Sequence, residues 1–396
     1  MRNIGRRMVV SSLALVIALA VAISANSSGE TSSTLSSDSV SKTTRFDFFY
    51  ASQEEILEEY GKCVGTNAAN AGEYGGVYVD DNGNAVVNVK RNSGVAVMSL
   101  NNSTANLTTS DGTRNIIVRE VKYSMAELKD AESRILELVP FVDGYVIREM
   151  GVDEEQNNIE VLIANHEDAD GFLDILLEKI GLSESYSDMF QIGVFNDNDE
   201  LEYLSKKIGG TSQLSYKDSS NTTHYFSAAV KYNSSTYGAG FITTGHANLQ
   251  VGDYVKCGSD TVGQVEEVHH DGTDDTAFVS FYNQSSWDST VTYLDEYLAR
   301  SVTPAQGSYV KLRGYQSDPY VTGTVDHTSR YYYNSSESIS WTDMLEVGCA
   351  VEHGDSGGAC FGISTDTGRT GRVVGVISQG NSSRTLVVKA SNVADY

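Results

Sequence analysis

Residues 352–361 read EHGDSGGACF, and within them Gly354-Asp355-Ser356-Gly357-Gly358 sets one serine among three glycines, directly after an acid. A serine hydroxyl is a weak nucleophile until a positioned base removes its proton. Flanking glycines let the backbone bend tightly enough for N–H groups to converge on one point, which is how a developing oxyanion is held. An ordinary glycine turn is the competing reading of the same five letters. The choice between them depends on whether the chain also supplies a base and an acid to orient it.

Around this stretch, from Ile208 to the end, helical periodicity is absent. Short apolar runs alternate with Gly, Ser, Asn and Asp turns: HYFSAAVKY (224–232), GAGFITTGH (238–246), TAFVSFY (276–282), SYVKLRGY (308–315), RVVGVISQG (372–380) and TLVVKA (385–390). Many short strands at this spacing predict an all-β barrel or sandwich. The region holds six histidines, at 224, 246, 269, 270, 327 and 353. His246 follows an apolar run that ends in a glycine, so its side chain emerges at the rim of a rigid sheet; taken alone, it reads equally well as a core or surface histidine. Asp274 and Asp275 precede the alternating run TAFVSF, and taken alone they read as a solvated turn. The order His…Asp…Ser is what ties the three together, being one of the few recurrent orders of a nucleophile triad. Ser356 is the candidate nucleophile and His246 its base. The N–H groups of Gly354 and Ser356 are the candidate oxyanion donors.

FITTGH (241–246), DDTAFVSF (274–281) and GDSGG (354–358) resemble the three signatures of chymotrypsin-like serine proteases. The gaps of 29 residues from His246 to Asp275 and 81 from Asp275 to Ser356 look like the compact bacterial branch of alpha-lytic protease and the streptogrisins. DDTAFVSF resembles that branch's Asp-x-Ala-x-Val strand, which puts the acid at Asp275 rather than Asp274. KIGG (207–210) resembles its mature N-terminus. VVGVISQGN (373–381) resembles the strand that pairs with substrate backbone, giving Ser378, Gln379 and Gly380; the glycine suggests an open pocket. His353, beside the oxyanion glycine, falls near the substrate, where it either tunes specificity or is simply solvated. The resemblance covers residues 208–396. It implies a trypsin-like double six-stranded antiparallel barrel with the triad in the cleft, a serine-type endopeptidase acting on proteins or peptides, and no cofactor or metal. The chain also departs from the pattern. Ala247 follows His246 where the family often has cysteine, and no cysteine follows Cys360. Three cysteines lie after Lys207, so a Cys349–Cys360 disulfide would leave Cys257 over.

The first half has a different texture. The whole chain carries 53 acids against 28 bases, which argues against a nucleic-acid partner, because phosphate binding needs clustered positive charge. Residues 1–207 hold 33 acids and 17 bases; residues 208–396 hold 20 and 11. Arg2, Arg6 and Arg7 precede an apolar and small-residue stretch at 8–25, which reads as a signal peptide (1–25) with cleavage at Ala20-Val21-Ala22 or Ile23-Ser24-Ala25. An uncleaved membrane anchor is the alternative, since the run nearly reaches spanning length. Residues 26–45 are Ser/Thr-rich and read as a disordered linker. Residues 46–207 read as an α+β unit of helices and hairpins. QEEILEEYGKC (53–63) has helical spacing. YGGVYVDDNGNAVVNV (74–89) alternates around Asn82-Gly83, a hairpin signal. Ser124 and Glu127 stand in capping-box spacing before Leu128, Ala131, Ile135 and Leu138. A second hairpin is expected over 144–164, a helix over 171–181 and a strand over 190–195. YGGVYVDDNG and VKYSMAEL look like the pro-region of the same protease branch, which assists folding and then leaves. Lys206-Lys207 would be an accessible cut site. Together these readings predict a secreted monomer made as a zymogen, its own pro-region being a partner.

Two rivals stand against this. VHHDGTDD (268–275) offers His269, His270, Asp271 and Asp275 as metal ligands, although adjacent histidines on a strand point to opposite faces. The second is a non-catalytic trypsin-fold protein serving as a binding or adhesion module.

Overall fold

A computed structural model describes residues 52–64, 74–91, 104–108, 115–164, 169–195, 202–203, 214–282, 297–317, 320–335, 337–363 and 370–396. The leader, the Ser/Thr tract and the Lys206-Lys207 junction with KIGG lie outside the described residues.

The first half forms two α+β lobes. In the first, helix α1 (Gln53–Val64) buries Ile56 and Tyr60 on a sheet of β1 (Tyr74–Val79), β2 (Ala85–Lys90), β3 (Thr104–Thr108) and β4 (Asn115–Val121), in the order β1-β2-β4-β3. The β1–β2 hairpin turns at Asn82-Gly83, where Gly83 takes φ +77°. That is the left-handed conformation glycine adopts without penalty. In the second lobe, α2 (Met125–Leu136) starts from a formed capping box. The Ser124 side chain accepts from the Glu127 N–H, and the Glu127 carboxylate accepts from the Ser124 N–H at 2.8 Å. Its Leu128, Ala131 and Ile135 pack with α3 (Ala169–Ile180) on β5 (Phe141–Val142), β6 (Tyr145–Asp153), β7 (Asn158–Ala164) and β8 (Phe190–Phe195).

The second half is two β units, antiparallel except for the short parallel pairing of Tyr297 with Arg372 and Leu298 with Val373. The first unit contains β10 (Leu214–Lys217), β11 (Thr223–Phe226), β12 (Val230–Ser234), β13 (Gly238–Thr244), β14 (Tyr254–Cys257), β15 (Asp260–Val268) and β16 (Thr276–Phe281); β9 (Glu202–Tyr203) precedes it. Its order is β11-β10-β14-β15-β16-β13-β12. The second unit contains β17 (Tyr297–Leu298), β18 (Tyr309–Arg313), β19 (Val321–Asn334), β20 (Ile339–Gly348), β21 (Ala359–Ile363), β22 (Thr370–Gly380) and β23 (Thr385–Lys389). Here β18-β21-β22-β23-β20-β19 closes on itself through the β18–β19 pairing, a six-stranded ring. The first unit has seven strands rather than the expected six. The turn at Asp218–Thr222, with Asn221 at φ +64°, folds an extra strand back as the β10–β11 hairpin.

Alternation sends successive residues of a strand to opposite faces. On β13, Phe241 enters the first unit's core and Ile242 the cluster shared between units; on β16, Ala277 and Val279 face the first core and Phe278 the shared one. These two strands are covered on both faces at Phe241-Ile242 and Ala277-Phe278-Val279, where consecutive residues are apolar. The shared cluster also takes Tyr332, Trp341, Phe361, Val376 and Leu386 from the second unit. It fixes the seam on which the site is built.

The two halves share one sheet. β6 pairs antiparallel with β19, Met150 opposite Tyr331. Beside this joint Arg330, almost wholly buried, reaches Glu149 at 2.8 Å, Glu160 at 2.7 Å and Glu346 at 3.0 Å. Arg384 adds contacts to Glu149 at 2.5 Å and Glu346 at 3.1 Å. A buried charge is tolerated only with close, hydrogen-bonded partners, and removing one partner strands the others. Arg330→Met in the full chain should therefore lower unfolding free energy by about 3–5 kcal/mol, the range for breaking a buried ion pair. Urea unfolding of a Ser356→Ala background measures it; a loss under about 1 kcal/mol, the level of an exposed pair, would refute the account.

Candidate active site

The end of β13 and the start of β16 are hydrogen-bonded neighbours, Thr244 opposite Thr276. His246 comes just after the first and Asp275 just before the second, so the sheet itself brings imidazole and carboxylate together. Gly245 between them donates its N–H to Asp275 O at 3.1 Å, and a Cβ there would lie 1.9 Å from His269 O. No side chain fits at that crossing.

His246 Nδ1 lies 2.6 Å from Asp275 Oδ2, and His246 Nε2 lies 3.2 Å from Ser356 Oγ. Ser356 comes from the other unit, 110 residues from His246. Its hydroxyl also lies 3.0 Å from the Ser378 carbonyl. Asp275 is fully buried, so its charge needs donors. Besides His246 it accepts from Ser378 Oγ at 2.5 Å and Thr244 Oγ1 at 3.3 Å on Oδ2, and faces His270 Nδ1 at 2.9 Å on Oδ1. Burial alone would raise this carboxyl. The charge and hydrogen bond of His246, then those of His270, outweigh burial and hold it below the usual carboxylate range. A depressed acid contributes stability that is present above its unfolded value and lost as pH falls through the folded one. Asp274, one residue away, behaves oppositely. Burial pushes it up to about 6, against hydrogen bonds from Thr276 and the Ala394 N–H. Its contribution is greatest at acid pH and declines as pH rises through about 6. The two adjacent acids are thus separated by environment, and it is Asp275 that faces His246.

The loop carrying Ser356 is held from both units. Ser227, at the end of β11, donates N–H to Ser356 O at 2.8 Å and Oγ–H to Gly354 O at 2.7 Å, while accepting from Tyr315 N. Asp355 is buried with four donors on its carboxylate: the N–H groups of Gln316, Ser317 and Glu352 and the Ser317 hydroxyl. Gly354 and Gly357 take φ +101° and +81°. Ser227 and Thr244 escaped the sequence reading because Ser and Thr are frequent turn residues, and Asp355 was seen only as the acid of the GDSGG stretch, without a role.

The remaining expected residues fall as follows. Ser378 and Gln379 are buried, and Ser378 turns its hydroxyl to Asp275 rather than outward. The space beside Gly380, read as an open pocket, is narrow: a Cβ there would meet Val351 Cγ2 at 3.1 Å and Thr385 Oγ1 at 3.2 Å. His353 is half-buried next to Gly354. His224 pairs with Asp218, and His327 lies beside Glu160 and Arg330, both away from Ser356. His269 faces Glu267 at 3.0 Å while His270 faces Asp275, so the adjacent rings diverge. Among the described residues no three His, Cys, Asp or Glu side chains are placed to hold a metal ion. The expected Cys349–Cys360 disulfide is corrected: no disulfide joins Cys349 to Cys360. Cys360 and Cys349 share one apolar cluster, where burial pushes both thiols up. The thiolate that disulfide chemistry needs is disfavoured there.

No protein-family model and no curated protein matches the chain. Among solved structures it is similar to a glutamic-acid-specific serine protease that utilises a histidine triad in substrate binding (19% identity, TM-score 0.34, 46% of this chain and 92% of that one). Nocardiopsis protease is similar at 19% identity, TM-score 0.33, covering 45% and 91%. An alpha-lytic protease homolog is similar at 14% identity, TM-score 0.32, covering 46% and 92%. The likeness is thus to chymotrypsin-like bacterial serine proteases. At these scores the likeness carries no argument about this chain.

The loop geometry makes a direct prediction. At Gly357 a Cβ would lie 2.3 Å from Thr243 Oγ1 and 2.4 Å from Ser227 O. Gly357→Ala should cost about 3 kcal/mol or more, because φ strain and backbone overlap add. Gly258→Ala, at φ +60° with nothing within 4 Å, should cost only about 1–2 kcal/mol for the left-handed backbone. Equal urea midpoints for the two variants would rule out the crowding.

Proposed function

We propose that the chain is the precursor of a secreted serine endopeptidase, in which residues 208–396 form the peptidase and residues 46–207 the pro-region that helps it fold. One observation carries this reading: the hydrogen-bonded series Asp275–His246–Ser356, assembled from two β units and excluded from water. In the proposed reaction, Ser356 Oγ attacks the scissile carbonyl as His246 Nε2 takes its proton. Asp275 holds the imidazole in the tautomer that presents Nε2 to the hydroxyl and stabilises the imidazolium. The N–H groups of Gly354 and Ser356 stabilise the oxyanion. His246 returns the proton to the leaving amine, and water repeats the sequence on the acyl-enzyme. None of these steps calls for a cofactor.

Strand β22 supports a substrate role for Ser378, Gln379 and Gly380. Within this chain it already accepts an extended segment: Tyr203 lies opposite Gln379 and Glu202 opposite Gly380, antiparallel. An edge that pairs with its own chain can pair with a substrate peptide in the same way. His353, beside Gly354, is proposed to border the bound peptide. With Ser356 1% exposed and the His246 side chain fully covered, the site is closed. That supports synthesis as an inactive zymogen. The exported leader and monomeric state belong to the same proposal.

A fluorophosphonate reagent should label Ser356 in the processed protein, and Ser356→Ala should abolish labelling, hydrolysis and any self-cleavage. An active, normally processed Ser356→Ala chain would sink the proposal, and an inert parent protein would favour the binding-module alternative. Asp275→Asn should lower kcat by about 10⁴-fold, the effect of losing the orienting carboxylate. Asp274→Asn should lower it by less than about tenfold, since its bonds run to Thr276 and Ala394.

A further inference from the structure

Resting on that peptidase reading, we infer that His270 is a positioning residue of the same site: a second imidazole on the free oxygen of Asp275, whose charge sets how far into acid His246 remains able to accept a proton.

The geometry is specific. His246 takes Oδ2 of Asp275 at 2.6 Å and His270 faces Oδ1 at 2.9 Å. The two rings stand 6.1 Å apart, tilted by 52°. His270 is not placed by chance of rotamer. Its ring packs 5.6 Å from that of Trp341, which is fully buried. Its loop is pinned on both sides: His269 N–H donates to Thr276 O at 2.8 Å, Asp271 and Asp274 exchange backbone hydrogen bonds, and Thr342 N–H donates to Gly272 O at 2.7 Å. Asp275 is sealed from solvent, whereas the His270 side chain is 25% exposed. The outer imidazole can therefore exchange protons with water while the carboxylate between the rings cannot.

The groups facing His270 are Asp275, Asp271 on its own loop, Glu337 from the turn between β19 and β20, and His246. Burial opposes its protonation, but the hydrogen bond and charge of Asp275, with Glu337 and Asp271, outweigh burial and raise it. As pH falls, the outer ring gains its proton and spends part of the single negative charge of Asp275. A proton arriving on His246 then meets a weakened counter-ion and a second cation about 6 Å away, so it binds less readily. At higher pH the neutral ring still aims Nδ1 at Asp275 and the carboxylate keeps its orientation.

The test uses the full chain with Ser356→Ala, labelled in its histidine rings, and the active protein in parallel. His270→Asn keeps an amide donor and removes the charge. It should move the His246 NMR titration midpoint, and the acid limb of kcat/KM, upward by about one pH unit, the size expected of a cation at this distance. Activity at pH 5 should fall roughly tenfold further than at pH 8. His270→Lys restores a cation and should return both midpoints to within about 0.3 unit of the parent. A merely structural role would lower activity evenly across pH and leave the midpoints in place. Midpoints unmoved in a folded His270→Asn, or shifted equally by Asn and Lys, would overturn the inference. Hydrolysis without a midpoint shift removes this inference alone. A midpoint shift in a chain that neither hydrolyses nor labels removes the peptidase reading and leaves the coupling across Asp275 standing.

Discussion

One buried carboxylate constrains the whole site. Asp275 has no exposed surface, and an ionised carboxyl in such a place survives only if donors surround it. Those donors arrive from four places: Thr244 at the end of β13, His246 just beyond it, His270 in the loop before β16, and Ser378 on β22. Three of the four belong to the first β unit and one to the second. Satisfying this single charge therefore docks the units against each other at a defined angle, and Ser356 is carried in on the same side as Ser378. The apolar cluster of Phe278, Trp341, Phe361 and their neighbours supplies the bulk of the docking energy. It does not by itself select a register; the directional bonds to Asp275 do.

The same logic recurs at the joint between halves. Arg330 and Arg384 are shared among Glu149 and Glu160 of the first half and Glu346 of the second. Two cations against three acids, all poorly hydrated, form a joint that is costly to open one partner at a time. Pairing β6 with β19 extends the closed ring of the second unit into the first half. A β topology made of distant pairings forms slowly, because loop closure precedes any reward. On the proposed reading, a lobe formed first would offer β19 a ready edge and lower that barrier, which gives physical content to the folding role proposed for residues 46–207.

Much of the local architecture was legible because it obeys short-range rules. The Ser124–Glu127 capping box, the Asn82-Gly83 turn and the helices carrying Ile56 and Leu128 depend on residues within a turn or two of each other. The boundary strands β13 and β16 were legible from apolar runs, and His246, Asp275 and Ser356 stood out as candidates through residue type and order. Other features were not legible. Ser227, Thr244 and His270 take their roles here from partners 127, 31 and 5 residues away, Gly354 for the first and Asp275 for the other two. The seventh strand of the first unit depended on how one five-residue turn folds. The cysteine pairing was expected from family placement and cysteine count, neither of which fixes a bond, and no disulfide joins Cys349 to Cys360.

The amino-acid sequence alone determined the class of structure and the inventory of candidate chemistry: period-two apolar runs, glycines where side chains cannot fit, one candidate nucleophile among glycines, and histidines and acids near strand ends. These follow from local sterics and hydrophobic patterning, which act over a few residues. Only the tertiary structure decided which acid faces which histidine, that Asp274 and Asp275 differ in charge behaviour, that a second imidazole shares the carboxylate, and that β22 is paired by the chain's own strand. Those outcomes depend on burial and on charges meeting across the seam of two units. Neither dielectric surroundings nor long-range contact is written in any short stretch of the chain.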